Sequence, residues 1–303
     1  MKAAHTQTAI VGLALLGLAL VALAASPASR PAAPGPAAPK ADSLDISPLG
    51  PEETRGKIPV LLVKGMWSQH WNFNEALATP VGQFGLSNSY VTQQYGYKFA
   101  LKYFPESADA LRTKKVVVLG NVPTSAFARQ GPRNAMKPVP GRSDQWLVDY
   151  VANGGGLFVL GGSFSFDLET TTALDAKQLA NTFKDSALAK ILPVELTDKT
   201  MTLAEQNKPL ELAPVGTHPI LKGLDFKDKP VTLFYHPLAA KKDATVVLSA
   251  NGQPVMIVGT HGKGRIVVLL ATLHGEPDKG TTPYWEWKSW PLLVRNTVEW
   301  LAQ

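Results

Sequence analysis

Short apolar runs bounded by glycine or proline recur along the chain from residue 58 onward. They include Ile58–Val63, Lys115–Pro123 and Leu157–Leu160, and runs of this length favour buried strands of a parallel sheet. Longer segments with apolar residues three or four positions apart occur between and after them, at Ser143–Val151 and Ser289–Leu301. That spacing is typical of helices that bury one face. The pattern predicts an α/β layered fold.

The most informative stretch is Asn153–Phe164, where three glycines, a short apolar run and a second glycine pair follow one another. Asn153-Gly154 is a typical helix end, and Leu157–Leu160 then reads as the central strand. Gly161–Ser165 predicts a sharp turn, the elbow, at the carboxyl end of this strand. Parallel sheets carry their ligand sites at the carboxyl ends of strands, so we expect the functional site at the elbow.

The second half of the chain has a different pattern, in which strands dominate. The remaining predicted elements are an edge strand at Tyr97–Phe104, helices near Phe73–Thr79 and Ala176–Ile191, and strands at Val231–Tyr235, Thr245–Leu248, Val255–Val258 and Arg265–Leu270. The last two strands are joined by a predicted hairpin turn at His261–Gly264. The expected fold is therefore a flavodoxin-like parallel sheet with flanking helices and an antiparallel-rich C-terminal part.

The N-terminal region does not fit a packed domain. Lys2 precedes an apolar run of 17 residues, Ala9–Ala25, which contains the Ala-x-Ala pattern Ala22–Ala24. This favours a secretory signal, with an uncleaved membrane anchor as the alternative. Five prolines then follow between Ser26 and Lys40, which predicts an extended tether. We expect a signal or anchor at 1–25, a tether at 26–55 and one domain at 56–303, in the periplasm or secreted.

Composition excludes several kinds of chemistry. The chain has no cysteine, which rules out disulfides and thiolate catalysis. Its net charge of +6 is spread along the sequence, so no nucleic-acid partner is expected. Gly262-Lys263-Gly264 lacks the Ser or Thr of a phosphate loop, and the histidines lack zinc-binding spacing. We therefore expect no cofactor and no metal, and membrane contact only through an uncleaved N-terminal segment.

Several motifs together resemble the class I glutamine amidotransferase-like superfamily, and within it the branch of the trehalose-utilisation proteins. They are Tyr150–Leu157 at the helix-to-strand junction, Gly161-Gly162-Ser163, Leu192–Val194, Thr217–Ile220 and Gly262–Arg265. The resemblance covers residues 58–303. It implies a flavodoxin-like fold and a functional elbow.

In that superfamily the elbow carries a cysteine nucleophile, which a His-x-Glu pair after a late strand activates. Ser163 stands at the cysteine position in this chain, so the resemblance implies no thiolate glutaminase activity. His274 and Glu276 keep the His-x-Glu spacing. Ser163 is then either a nucleophile with His274 as base and Glu276 as its orienting partner, or a residue that only shapes the turn.

Candidate ligand-binding residues surround the elbow. Backbone N–H groups at Gly161, Gly162 and the two residues that follow suit an anion or an oxyanion, and His70 follows the first strand at the same edge. Two groups of aromatic residues either stack on sugars or cover the core: Trp67, Trp71, Trp285 and Trp287.

These features leave the chain's enzymatic status open. The sequence predicts an exported domain without glutaminase activity that binds a small polar or carbohydrate ligand or a partner. The alternative is a serine hydrolase or amidase that uses Ser163, His274 and Glu276. A structural role in the cell envelope, with the N-terminal segment as anchor, fits the sequence equally well.

Overall fold

The computed structural model describes residues 58–64, 76–77, 80, 87–92, 108–122, 143–162, 165–166, 183–197, 202–203, 209–275 and 279–303. Chain contacts divide the protein into the units Met1–Ser43 and Leu44–Gln303, and every described residue lies in the second. The predicted signal and tether, the Tyr97–Phe104 strand and most of the Phe73–Thr79 helix lie outside the described residues. In the part of the chain that the structure describes, no helix is long and apolar enough to cross a membrane.

The described elements alternate between strands and helices in the first half of the domain. The strands are β1 Pro59–Lys64, β2 Ser87–Thr92, β3 Val116–Gly120, β4 Gly156–Gly161, β5 Val194–Glu195, β6 Thr202–Leu203, β7 Leu210–Pro214, β8 Val231–Thr232, β9 Phe234–Tyr235, β10 Ala239–Ala240, β11 Thr245–Ala250, β12 Gln253–His261 and β13 Gly264–Thr272. The α-helices are α1 Ala108–Arg112, α2 Ser143–Ala152 and α3 Trp290–Leu301. Short 3-10 helices occupy Phe183–Asp185, Ala187–Lys190 and Pro219–Leu221.

Eleven of the thirteen described strands form one large sheet with a parallel half and an antiparallel half, while β5 and β10 pair in a separate two-stranded sheet. The order of the large sheet is β2-β1-β3-β4-β13-β12-β11-β7-β8. The pairs from β2 to β13 are parallel, and the pairs from β13 to β8 are antiparallel. In the parallel half, the chain direction across the sheet reverses between β1 and β3, as in flavodoxin-like folds. The predicted fold class is confirmed.

Each buried strand contributes alternate residues to the two faces of the sheet. Val60 and Leu62 lie on one face with a core that includes α3. Leu61 and Val63 lie on the other face with a core that includes α2. Because successive side chains of a strand point to opposite faces, these continuous apolar runs are fully buried. The domain is therefore layered as helix, sheet and helix. In the parallel half of the sheet, the carboxyl ends of the strands lie along one edge and their amino ends along the opposite edge.

The structure differs from the predicted elements in several places, and α1, β5, β6, β7 and β10 were not predicted. The edge strand β2 at the parallel end of the sheet was not predicted, because Ser87–Thr92 is mostly polar. The predicted strand Val231–Tyr235 is interrupted at Leu233 and forms β8 and β9. The described part of the predicted helix Ala176–Ile191 forms two 3-10 helices. The Ser186 hydroxyl donates to the Phe183 carbonyl at 2.7 Å, and such side-chain bonds compete with regular helix formation.

Candidate functional site

The carboxyl ends of β3 and β4 fit closely against each other. Asn121 directly follows β3, is 3% exposed and has a φ of 54°, a conformation that asparagine tolerates better than most residues. Its carboxamide lies against Gly162, where an added Cβ would overlap the Asn121 Oδ1. Only glycine fits at position 162 while Asn121 keeps this position.

The buried side chain of His236 contacts the start of the elbow. Its backbone N–H donates to the Leu270 carbonyl at 3.1 Å, next to the irregular pairing between Leu269 and Thr272 of β13. Its side chain is 0% exposed, and its Nε2 accepts a hydrogen bond from the Gly162 N–H at 3.2 Å. Since Nε2 accepts, the hydrogen of the neutral ring is on Nδ1. The imidazole therefore holds the chain where β4 ends.

The ring of Phe166 also packs against the His236 imidazole. Phe166 is 0% exposed, and its ring packs edge-on against His236 with centroids 5.0 Å apart. Phe166 has a φ of 60°, which is strained for a phenylalanine. The packing of Phe166 against His236 and Phe183 therefore fixes the chain just beyond the elbow.

The structure corrects the prediction that the Gly162 N–H binds an anion. That N–H donates to His236, and the Gly162 carbonyl accepts from the Ser165 N–H at 2.9 Å. Gly161 lies within β4, where an added Cβ would be 2.7 Å from the Leu270 carbonyl oxygen. Gly161 is explained by the close approach of the β13 backbone, and Gly162 by that of the Asn121 side chain. Any oxyanion donors at the elbow would have to come from Ser163 and Phe164, which lie outside the described residues.

His274 lies at the same edge of the sheet as the elbow. Thr272, at the end of β13, pairs with Gly161 at the end of the parallel strand β4. In sequence, His274 comes two residues after Thr272, and Ser163 comes two residues after Gly161. The His274 ring is half-buried, with its centroid 5.5 Å from that of Phe234. Ser163 and Glu276 lie outside the described residues, so the triad stays a prediction.

The later tryptophans belong to the core. Trp287 is 1% exposed, and the centroid of its ring lies 4.7 Å from that of Phe226. Its Nε1 donates a hydrogen bond to the Asp225 carbonyl at 2.8 Å. Trp285 is 8% exposed and packs edge-on against Tyr284 at 5.1 Å. The structure corrects their assignment as ligand-binding residues, because their faces are covered by protein. Trp67, Trp71 and His70 lie outside the described residues.

Three residues of this region were not singled out from the sequence as site residues: Asn121, His236 and Phe234. Asn121 carries a local signal, since an asparagine just after a strand glycine is suited to a positive φ. His236 is 74 residues away from its partner Gly162, and no local pattern links them. Together with Gly161, Gly162 and His274, these residues form the strand-end site. Within the described part of the chain, no three acidic or histidine side chains are grouped to hold a metal ion.

A family profile identifies the class of protein that this fold and elbow define. The profile GATase1_like, described as "Putative glutamine amidotransferase", matches residues 70–303. The chain therefore belongs to this glutamine amidotransferase-like family, which confirms the resemblance seen in the motifs. No curated protein matches the sequence.

Solved structures share the fold at low sequence identity. Cytoplasmic Protein STM3548 from Salmonella typhimurium is 24% identical, with 80% of this chain and 99% of that chain covered at a TM-score of 0.62. Cytoplasmic Protein STM1381 from Salmonella typhimurium LT2 is 20% identical, with 80% and 98% covered at 0.62. A thua-like protein from Parabacteroides merdae is 13% identical, with 82% and 90% covered at 0.50. At these identities the comparison shows a common fold.

Proposed function

We propose that this domain binds a small polar molecule, in the first place a carbohydrate, at the strand-end site and has no glutaminase activity. The observation that carries the proposal is the absence of cysteine from all 303 residues, although β4 and its support by His236 are in place. Glutamine hydrolysis in the superfamily needs a thiolate nucleophile, and a serine hydroxyl is far less ionised at neutral pH.

The edge of the strand-end site offers an apolar ring beside polar groups. Phe234 and His274 are both half-buried, with rings 5.5 Å apart. A sugar presents apolar C–H faces and hydroxyl groups, so it suits such a pair. We include Trp67, Trp71 and His70 in the proposed site because they follow β1, whose carboxyl end lies beside that of β3.

Binding is tested by calorimetric titration of the full chain with glucose, galactose and trehalose. We expect at least one dissociation constant in the millimolar range or below, and a roughly tenfold or greater weakening in His274→Ala. His261→Ala is the matched control, because His261 is also half-buried but ends β12, where it pairs with Gly264 at the opposite end of β13 from His274. An equal effect of both substitutions, or cysteine-independent glutaminase turnover, would overturn the proposal.

The register between β4 and β13 supports a second candidate, a serine hydrolase. It leaves Ser163 and His274 at equal distances in sequence beyond the Gly161–Thr272 pair. In this case p-nitrophenyl esters should be hydrolysed, and Ser163→Ala or His274→Ala should each lower kcat by about a thousandfold or more. Turnover that persists in Ser163→Ala would exclude this candidate.

Export is a separate part of the proposal and rests on Ala9–Ala25. It would distinguish this chain from the two Salmonella proteins, whose names describe them as cytoplasmic. N-terminal sequencing of the protein recovered from a periplasmic extract should find a start near Ala25 if the signal is cleaved. Recovery of the intact N-terminus from the cytosol would contradict export.

A further inference from the structure

A cavity of about 580 Å³ lies at the other end of the sheet from the elbow. Pro59 at the start of β1, Lys115 just before β3, and Gly155 just before β4 contribute to its wall. Since β4 runs from Gly156 to Gly161, the length of this strand, about 16 Å, separates the cavity from the elbow. The cavity is therefore distinct from the strand-end site.

Positive charge predominates in the described lining. Arg112, Lys114 and Lys115 contribute to it, and Asp149 is the sole carboxylate among the described lining residues. Arg112 also pairs with Asp109 at 2.5 Å, but both side chains are about four-fifths exposed at 78% and 81%. Such exposed ion pairs contribute little to stability, so the Arg112 guanidinium can bind a ligand instead. The excess of positive over negative side chains in the lining favours an anionic ligand.

One of the three cationic residues is held in a buried position. Lys114 is 4% exposed, which is rare for a lysine, whereas Lys115 is exposed. Lys114 is therefore not part of the solvated surface. A positive charge held at low exposure interacts more strongly with a bound anion than one in bulk water does.

Two aromatic side chains complete the wall. Trp146 and Tyr150 are one helical turn apart on α2, and both are half-buried. The Tyr150 ring lies directly over Gly155, where an added Cβ would overlap the ring, and the hydroxyl donates to the Lys114 carbonyl at 3.3 Å. Burial raises the pKa of Tyr150 above its usual value. The phenol therefore stays neutral and adds no negative charge.

We propose that this cavity is a second ligand site, for a small molecule that joins an anionic group to a planar ring. Its volume lies within the range of small-molecule pockets. Lys115 and Arg112 would bind the anionic group, which is a carboxylate or a phosphate. Trp146 and Tyr150 would pack against the ring.

The test is calorimetric titration of the full chain with four probes. Adenosine 5′-monophosphate and indole-3-acetate carry a ring with a phosphate or a carboxylate, and they distinguish the two anions. Adenosine has the ring alone, and inorganic phosphate has the anion alone. We expect a dissociation constant below about 1 mM for at least one ring-bearing anion, and binding about tenfold weaker or more for the two partial probes. Equal binding of adenosine or phosphate would overturn the proposal.

Variants locate the binding. Lys115→Gln and Trp146→Ala should each raise the dissociation constant of the probe that binds about tenfold. Lys242→Gln removes the same charge from an exposed lysine outside the cavity lining, and it should change nothing. Ser163→Ala and His274→Ala should also leave the affinity unchanged, which separates this site from the strand-end site. If Lys115→Gln and Lys242→Gln have equal effects, the binding comes from the overall surface charge and not from the cavity, and the proposed site is refuted.

Discussion

At the scale of single residues, a buried histidine determines how the chain passes from β4 into the elbow. His236 has no exposed surface, and it accepts the Gly162 N–H. A buried N–H that loses its acceptor costs about 1–3 kcal/mol of stability. The contribution of His236 is therefore to satisfy the backbone and fix its direction, which a binding site at the strand end requires.

Replacing His236 by leucine should therefore destabilise the domain, by about 1–3 kcal/mol in the free energy of unfolding. His236→Gln retains an acceptor and should recover part of this loss. Urea unfolding followed by tryptophan fluorescence measures both. His261→Leu, at the half-buried last residue of β12, is the control; a loss as large as that of His236→Leu would contradict the role of the Gly162 bond.

His218 should make the stability of the domain depend on pH. Its Nδ1 accepts from the Ile220 N–H at 3.3 Å, and its ring packs 5.1 Å from that of Trp300. Burial, and secondarily the charge of Arg265, lower the pKa of His218. The unfolded chain then binds a proton at a higher pH than the folded chain does. The stability linked to neutral His218 is thus present above about pH 6.5 and is lost as the pH falls from there through the lowered folded-state pKa.

His218→Asn removes this titration, so its urea midpoint should fall less between pH 7.5 and pH 5 than that of the unchanged protein. Asparagine can still accept the Ile220 N–H, as expected of a residue that caps a short helix. Parallel pH profiles of the two proteins would contradict the assignment.

At the scale of elements, the fit between β3 and β4 depends on a pair of small residues at their ends. Gly162→Ala should lower the free energy of unfolding by about 1–3 kcal/mol, because the new methyl group overlaps the Asn121 carboxamide. Asn121→Gly removes that group and suits the φ of 54°. The loss in the double variant should be smaller than the sum of the single losses, as a double-mutant cycle of urea unfolding shows. Strictly additive losses would contradict the contact.

The helix α3 covers one face of the sheet through a single apolar side. Leu293 is 2% exposed, whereas Arg295 lies on the opposite side and pairs with Glu299 at 2.7 Å. Leu293→Ala should cost about 2–5 kcal/mol, and Arg295→Ala less than about 1 kcal/mol. Chemical unfolding of the two variants tests this. Similar losses would mean that α3 does not pack by the face that the structure shows.

The central elements were predictable because strands such as β1, β3 and β4 are short apolar runs next to glycine or proline. The hairpin at His261–Gly264 and the helix α3 followed from turn residues and from helical spacing. β2 was not predictable, since its sequence is polar and its place is set by parallel pairing with β1. The 3-10 helices around Ser186 depend on local hydrogen bonds and on Asp144, which accepts the Ala187 N–H at 2.8 Å from another element.

At the scale of the whole molecule, the parallel half of the sheet provides two edges with different chemistry. The carboxyl edge carries the strand-end site, and the amino edge carries the cationic cavity. The topology predicts a site at the first edge, and that site stays a prediction. Its side chains were only partly predictable, because His236 reaches Gly162 across 74 residues of sequence. Trp285 and Trp287 looked like ligand contacts in sequence, yet they fill the core beside α3.

Whether the strand-end site binds its ligand without covalent chemistry is tested most directly with a fluorophosphonate probe. The full chain, Ser163→Ala and His274→Ala are incubated with the probe, and adducts are located by mass spectrometry. We predict no adduct at Ser163, because a serine reacts only when a base activates it. An adduct at Ser163 that disappears in His274→Ala would contradict a pure binding function and would establish the serine hydrolase.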